Sequence, residues 1–174
     1  MTQPEEYGLR PYQPGDETWL SQITLSAIKA VGARHYTPEQ VEAWSSGHHA
    51  PDRFANRAQL GAYIEIAVAG LALPVAYALL ERDEAGPSAG DGHLDMLYCH
   101  PEHTRKGLAE ALLARCEERA REWGCPRLYT EASELAKGAF ERAGYRVTHR
   151  RDFTIEGKSG PVPIHSYAME KRLD

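Results

Sequence analysis

Residues 92–123 read GHLDMLYCHPEHTRKGLAEALLARCEERAREW and decide the fold. They open with an apolar-rich run, residues 94–99, which is short enough for a β-strand and is stopped by Pro101. A polar and basic turn with one glycine, Gly107, comes next. From Leu108 onward, apolar residues recur every three or four positions, a spacing typical of an amphipathic helix. The stretch therefore predicts a strand, a tight basic loop and a helix.

The loop between this strand and this helix suits an anion. The first amides of a helix have no partner within it and lie at the positive end of its dipole, so they bind groups such as phosphate. Gly107 removes a side chain where a ligand would come close, and Arg105 and Lys106 add positive charge. Taken alone, such residues more often form only a solvated turn. The surrounding segments decide between the two interpretations.

Length and composition predict one globular domain, residues 1–174, with 42% hydrophobic and 26% charged residues. The formal net charge of −5 gives no broad basic surface, so nucleic acid is not an expected partner. The first residues lack the apolar core of a signal peptide, and no apolar run is long enough to span a membrane. We therefore expect a cytoplasmic protein with no membrane partner.

Cysteines and histidines predict no metal site. Cys99, Cys116 and Cys125 have no CxxC spacing and fall at apolar positions, so we expect reduced thiols. His48 and His49 are adjacent, but neighbouring residues face in different directions and no third ligand is spaced to join them.

The remaining pattern predicts a mixed α+β fold. Because residues 127–132 follow a strand–helix crossover, their strand is expected to lie parallel to the strand at residues 94–99. The other strands are expected to form an antiparallel meander and a closing hairpin. The expected strands are residues 7–12, 63–69, 75–81, 94–99, 127–132, 145–155 and 164–173.

Polar residues mark the expected helix starts and the last turn. Three helices are expected to begin at Asp16, at Thr37 with a capping-box Gln40, and at Ser133, which precedes a helix over residues 134–143. A shorter helical segment is expected over residues 53–60. The turn residues 156–163 (EGKSGPVP) are expected to separate the last two strands.

In this order of elements the chain resembles the GNAT superfamily of acyl-CoA N-acyltransferases. Residues 97–109 (LYCHPEHTRKGLA) are similar to its cofactor motif, in which a strand ending L-x-V-x-P precedes Q/R-x-x-G-x-G/A. Residues 138–145 (GAFERAGY) resemble its second signature. Within the family, the segments EAS at residues 131–133 and HSYAMEKRL near the C-terminus resemble the small bacterial YafP- and YjaB-like acetyltransferases.

The resemblance implies a mostly antiparallel sheet of about seven strands, flanked by about four helices, with the parallel pair splayed into a V. It implies acetyl-CoA (coenzyme A) in that V, with pantetheine on the first parallel strand and the pyrophosphate on the loop amides. The cofactor-binding residues implied in this way are Leu97, Tyr98, Cys99, Thr104, Arg105, Lys106, Gly107, Leu108, Ala109, Ser133 and Phe140.

Two positions depart from the family pattern. Thr104 stands where the loop usually begins with Gln or Arg, which removes a long side chain but none of the amides. Phe140 stands where many members carry a tyrosine that reprotonates the CoA thiolate, and a phenyl ring has no proton to give.

Other side chains must then move the protons. Tyr98 and Tyr129, on the two strands of the V, are the candidate acids, although each is also typical of plain sheet packing. Glu131 is the first candidate for the base that deprotonates the amine, or it is a structural hydrogen-bond acceptor. Asp95 and His100 are weaker candidates for that base.

The sequence thus predicts an N-acetyltransferase that moves an acetyl group from acetyl-CoA to a primary amine of a small molecule or peptide, by direct attack in a ternary complex. Phe140 and Thr104 favour an alternative, a weak or inactive acyl-CoA-binding sensor. The acceptor pocket is expected between the early helices, the loop at residues 45–52 and the closing hairpin. That hairpin and the exposed strand edges also allow a homodimer.

Overall fold

A computed structural model describes residues 6–47 and 49–174 and contains one seven-stranded sheet in the order β1-β2-β3-β4-β5-β7-β6. Every neighbouring pair is antiparallel except β4 and β5. The strands are β1 (Tyr7–Pro11), β2 (Tyr63–Ala69), β3 (Leu73–Arg82), β4 (Gly92–Cys99), β5 (Arg127–Ala132), β6 (Arg146–Gly157) and β7 (Gly160–Arg172). This confirms the expected mixed α+β class and the single parallel pair.

Five α-helices lie in the described residues, one more than the resemblance implies. They are α1 (Glu17–Ala30), α2 (Pro38–Ser45), α3 (Pro51–Gln59), α4 (Leu108–Glu122) and α5 (Lys137–Arg142). Within residues 6–47 and 49–174, no helix combines the length and apolar character needed to cross a membrane. His48, half of the adjacent histidine pair, lies outside the described residues.

Each face of the sheet has its own core, because alternate residues of a strand point to opposite faces. On one face, Leu112 and Cys116 of α4 belong to the same buried cluster as alternate residues of β3. On the other face, Leu20 of α1 and Phe54 of α3 cluster with Tyr77 of β3, and the Phe54 and Tyr77 rings lie 5.5 Å apart. The central strands of the sheet are therefore covered on both faces.

The parallel pair opens after two residue pairs. Strands β4 and β5 are in register only at Gly92 with Leu128 and at His93 with Tyr129. Just beyond, the Thr130 hydroxyl donates to the Leu94 carbonyl at 2.6 Å. Past that point β4 stays paired with β3 as far as Cys99, whereas β5 stays with β7. The facing edges of the two strands are thus unpaired, which gives the V that the resemblance implies.

Glycine closes the base of this V. A Cβ atom on Gly92 would lie 2.6 Å from a Leu128 methyl carbon, closer than side-chain atoms approach each other. Any larger residue at position 92 would force the Leu128 side chain to move. The strands therefore converge at Gly92 and diverge toward the end that carries the basic loop.

Two of the expected helix caps are wrong. The Asp16 side chain does not cap α1, because it accepts hydrogen bonds from Arg10 at 2.8 and 2.9 Å and from the Gln13 amide at 2.8 Å. Helix α5 begins at Lys137, three residues later than expected, without a side-chain cap, so Ser133 is not its cap. The Thr37–Gln40 capping box is confirmed.

The expected turn at residues 156–163 is also too long. Strand β6 continues to Gly157 and β7 begins at Gly160. Alternate residues of a strand direct their backbone groups to the same edge, and at Pro161 and Pro163 this edge faces away from β6. The missing N–H of each proline therefore removes no hydrogen bond between β6 and β7. The Pro163 carbonyl instead accepts from Gln40 of α2 at 2.9 Å. The long hairpin is thereby fastened to α2 and forms a wall of the V.

Candidate active site

A continuous cleft fills the V between β4 and β5. It consists of a cavity of about 220 Å³ and an adjoining one of about 90 Å³, which share Leu97, Tyr98 and Ala136 as lining residues. The larger cavity lies toward the β6–β7 hairpin, and the smaller one lies between β4, α4 and α5. The cleft is therefore open along the unpaired strand edges and is not filled by packed side chains.

The smaller cavity leads to the basic loop. Gly107 has φ = 75° and Arg105 has φ = 61°, so both adopt the left-handed conformation. The Ala111 amide, bonded to the Gly107 carbonyl at 3.1 Å, is the first to enter the α4 ladder. Residues 104–105 form a hydrogen-bonded turn, and among the described residues no hydrogen bond is found for the amides of Gly107, Leu108 and Ala109. The loop thus offers free N–H groups at a helix start, as anion binding requires.

The implied cofactor residues fall into three groups. Leu97, Tyr98, Cys99, Thr104 and Ala109 line the smaller cavity. Arg105, Lys106 and Gly107 are exposed at its mouth. The side chain of Leu108 is buried in the core, so only the Leu108 backbone can reach a ligand. Ser133 and Phe140 line the larger cavity.

Tyr98 lies where both cavities meet. Its ring is 6.4 Å from that of Trp44 and 6.0 Å from that of Tyr77. Burial raises the pKa of the Tyr98 phenol, and the nearby Asp95 carboxylate adds to the effect. Tyr98 is therefore a protonated phenol at neutral pH and can donate a proton or a hydrogen bond into the cleft.

Tyr129, the other candidate acid, does not face the cleft. It sits opposite His93 in the closed part of the V, and the two rings stack at 4.6 Å. Its hydroxyl donates to Asp83. The expectation fails because β4 and β5 separate only after this pair, so Tyr129 lies on the wrong side of the split.

Glu131 lines the larger cavity and is bound by one partner. Arg151 of β6 donates through Nη1 to both carboxylate oxygens, at 2.7 and 2.6 Å. The side chains of Glu131 and Arg151 are 42% and 50% exposed, so solvent screens this ion pair. Asp95, a weaker candidate, also lines the cavity but pairs with Arg57 at 2.6 Å.

A hydrogen-bond network that the sequence did not predict borders the larger cavity. Glu134 Oε1 accepts from His165 Nε2 and from the Tyr167 hydroxyl, each at 2.7 Å, and the Glu134 amide donates to the Tyr36 hydroxyl at 2.9 Å. Two hydrogen bonds lower the pKa of Glu134, and the one from His165 has a larger effect than the one from Tyr167. Glu134 therefore stays ionised and holds His165 at the wall of the cleft.

Comparison with known proteins identifies the family. Residues 32–159 match a family model described as an acetyltransferase (GNAT) domain. The match covers more than half of the chain and includes the basic loop and both parallel strands.

The chain belongs to the GNAT acetyltransferases.

Two relatives support this membership across nearly the whole GNAT chain. YafP of Escherichia coli K12, an uncharacterized N-acetyltransferase, is 31% identical over 150 residues, which are 86% of this chain and 87% of YafP. The crystal structure of a GCN5-related N-acetyltransferase from Rhodopseudomonas palustris has a TM-score of 0.79 and 31% identity, and 95% of each chain is covered. The YafP match agrees with the subgroup that the sequence indicates.

A more distant solved structure shares the fold. YncA from Salmonella typhimurium, solved with acetyl-CoA, has a TM-score of 0.72 at 19% identity, and the comparison covers 97% of this GNAT chain and 95% of YncA.

Outside the cleft, one group of side chains among the described residues has metal-ligand chemistry. His100, Glu102 and His103 bring one donor atom each within 4.8 Å of one another. However, His100 Nδ1 accepts a hydrogen bond from the Glu102 amide at 3.2 Å, which leaves its proton on Nε2. The absence of a metal stays a prediction for this GNAT protein.

The walls of the larger cavity show what the sequence missed. Tyr36 and Trp44, around α2, and Phe153 and Ile164, on the hairpin, line it together with His165. The expected pocket segments include these residues, but no motif marks them individually. Their side chains meet because α2 docks on β7, a contact between distant segments that no local pattern encodes.

Proposed function

We propose that this GNAT protein transfers an acetyl group from acetyl-CoA to a primary amine of a small molecule or peptide, by direct attack in a ternary complex. The observation that best supports this proposal is that the unpaired edge of β4 leads directly to the free amides at the start of α4. YncA, with the same fold, was solved with acetyl-CoA, and PaiA from Thermoplasma acidophilum, with a TM-score of 0.75 at 18% identity, was solved with coenzyme A.

The residues present fit this cofactor. A Cβ placed on Gly107 meets no atom within 4 Å, so the space beside the loop is open for a pyrophosphate. Backbone groups of Leu97, Tyr98 and Cys99 stand on the open edge of β4, where an extended pantetheine arm would take hydrogen bonds as a neighbouring strand does. Arg105 and Lys106 add charge at the mouth.

Acetyl-CoA supplies an activated thioester, and the chain supplies positioning and proton transfer. A backbone amide at the split of the V stabilises the negative charge that develops on the thioester oxygen. Tyr98, which burial keeps protonated, donates to the departing thiolate in place of the tyrosine that Phe140 replaces. Glu131 stays the base that the sequence predicts, and it must exchange its hydrogen bonds with Arg151 for one to the amine.

The larger cavity favours an amine with an apolar body. Tyr36, Trp44, Phe153, Ile155 and Ile164 supply aromatic and aliphatic walls. Three carboxylates, those of Asp95, Glu131 and Glu134, lie in or beside it and suit a cationic head group. The arginines closest to them are already ion-paired. We therefore infer a preference for arylalkyl and alkyl amines over amines that carry a carboxylate.

Release of free CoA from acetyl-CoA tests this function. The assay uses benzylamine, phenethylamine, hexylamine and a lysine-containing peptide as acceptors, with glutamate as a carboxylate-bearing control. We expect amine-dependent thiol release and an acetylated product by mass spectrometry. Tight acetyl-CoA binding without amine-dependent release would instead support the acyl-CoA sensor.

Two further expectations stay predictions, a cytoplasmic location and a homodimer through the closing hairpin. Strand β6 lies at one end of the sheet, so one of its edges has no neighbouring strand in the described residues. Light scattering after size-exclusion chromatography decides the oligomeric state.

A further inference from the structure

Ser166 of β7 has a buried hydroxyl with no hydrogen-bond partner. The residue is 6% exposed, and its Oγ meets no donor or acceptor among the described residues. It also lines the larger cavity of the cleft. Most buried polar atoms in proteins are paired, and leaving one unpaired costs free energy. An unpaired buried hydroxyl at the wall of a cleft points to a ligand that forms the missing hydrogen bond.

Its place in the sheet explains why Ser166 borders the cleft. Pairing between β5 and β7 ends at Ala132 with Tyr167, so Ser166 is the first β7 residue beyond it. On its other side Ser166 is in register with Arg151 of β6, and residues directly opposite each other in a sheet point to the same face. Arg151 holds Glu131 on that face. Ser166 thus shares the acceptor side of the cleft with the predicted base.

We propose that Ser166 Oγ accepts a hydrogen bond from the amine that attacks the thioester, and so positions the acceptor. This inference rests on the proposed acetyl transfer. A primary amine has two N–H groups, so one can donate to Ser166 while the nitrogen lone pair faces the acetyl carbon. The second proton leaves to the base, and the serine forms no covalent bond.

The surroundings favour this role over a nucleophilic serine. A serine nucleophile needs a base within hydrogen-bond reach of its hydroxyl, and Ser166 Oγ has no such neighbour in the described chain. His165 precedes it, but neighbouring residues of a strand face opposite sides, and His165 Nε2 is held by Glu134. Ser166 therefore binds and orients the substrate.

Ser166→Ala provides the test, with Ser159→Ala in the exposed β6–β7 turn as the matched control. The first measurement titrates the panel amines into protein saturated with free CoA. We expect Ser166→Ala to weaken amine binding about 3- to 10-fold, the effect of one neutral hydrogen bond. The affinity for acetyl-CoA stays within twofold of wild type, and kcat/KM for the amine falls by the same factor as the binding.

Thermal unfolding separates this role from a structural one. Removing an unpaired buried hydroxyl should leave the Tm unchanged or raise it, whereas losing a structural hydrogen bond would lower it. Unchanged amine affinity, weaker acetyl-CoA binding, or a lowered Tm in Ser166→Ala would each overturn the proposal. If wild type binds panel amines but shows no turnover, the acetyl transfer fails while the Ser166 contact is still decided by the titration. If wild type binds none of them, both fail.

Discussion

At the scale of residues, Tyr98 carries the proposed proton donation. It faces the cleft, burial raises its pKa, and it lies on the strand that would hold the cofactor. Phe140, at the position of the usual tyrosine, is 2% exposed and packs edge-on against Tyr145 at 5.0 Å. The aromatic shape is thus retained there, while the proton has to come from elsewhere.

Tyr98→Phe tests that donation. We expect kcat to fall about 100-fold, the lower end of the effect of a positioned acid, with little change in acetyl-CoA affinity. Because its pKa is raised, the wild-type phenol stays protonated through neutral pH and should cause no loss of kcat below pH 10. The control is Tyr129→Phe, which removes a hydroxyl outside the cleft. A kcat within twofold of wild type for Tyr98→Phe would contradict the assignment.

Glu131→Gln tests the predicted base. A base must be deprotonated to act, so kcat/KM should fall at low pH in wild type, and this fall should flatten in the variant. Glu141→Gln, on the exposed face of α5, serves as the control. If the two variants show the same pH profile as wild type, Glu131 is only the structural partner of Arg151.

At the scale of elements, the branch point of β4 and β5 creates the site. The Thr130 hydroxyl replaces the next ladder bond by donating to the Leu94 carbonyl at 2.6 Å. Leu94 is 0% exposed and Thr130 is 3% exposed, so bulk water cannot replace this hydrogen bond. The hydrogen bond closes the base of the V without extending the pairing into the cleft.

Thr130→Val keeps the shape of this side chain and removes its hydroxyl. The Leu94 carbonyl would then be buried without its partner, so the free energy of unfolding should drop by about 1–3 kcal/mol. Thr154→Val, on an exposed position of β6, should change it by less than about 0.5 kcal/mol. Urea unfolding measures both variants, and equal effects would show that the branch-point hydrogen bond does not stabilise the fold.

Most elements could be predicted from the sequence because their signals are local. Strands β2 and β5 have the expected bounds, and the capping box at Thr37 needs only Gln40 nearby. The cap at Asp16 failed because Arg10, on a different element, competes for its carboxylate. The predicted length of the last turn was wrong because Pro161 is acceptable in a strand only where its backbone faces an open edge. Which edge is open depends on the order of strands in the sheet.

The candidate site likewise has one part that the local sequence predicts and another that it does not. The anion loop is local, so its glycine and basic residues could be identified directly. The acceptor wall combines α2, the hairpin and the turn before α5, and these segments meet only through tertiary contacts such as Gln40 to Pro163. Ser166 and the His165–Glu134 pair carry no sequence signal of their own, since burial and partners decide their roles.

At the scale of the whole molecule, ionised carboxylates tie the elements together. Arg10 holds the pKa of Asp16 below its usual value of 3.8 and joins β1 to the start of α1. The hydrogen bond from Arg127 likewise lowers the pKa of Glu170 at the far end of β7. A carboxylate whose pKa is lower in the folded state stabilises above its unfolded pKa and loses that contribution as the pH falls.

Asp16→Asn tests this dependence. At pH 7 the variant should lose about 1.5–3 kcal/mol of unfolding free energy, as expected for a charged hydrogen bond. Wild type should lose stability as the pH drops below 3.8, and the difference between the two proteins should shrink over that range. Urea unfolding at pH 7 and pH 3 provides the measurement. A difference that stays constant with pH would contradict the role of the Arg10–Asp16 pair.

The central claim is that the V and the loop before α4 hold acetyl-CoA through backbone amides. Calorimetric titration of acetyl-CoA into wild type, Gly107→Glu and Gly61→Glu tests it most directly. Both glycines have positive φ and open space at Cβ, so both variants place an L-residue in a strained backbone conformation without a steric clash. We predict one site in wild type and in Gly61→Glu, and a loss of affinity of at least about 100-fold in Gly107→Glu, because its carboxylate enters the pyrophosphate position. Equal affinity of the two variants, or no binding by wild type, would contradict the account.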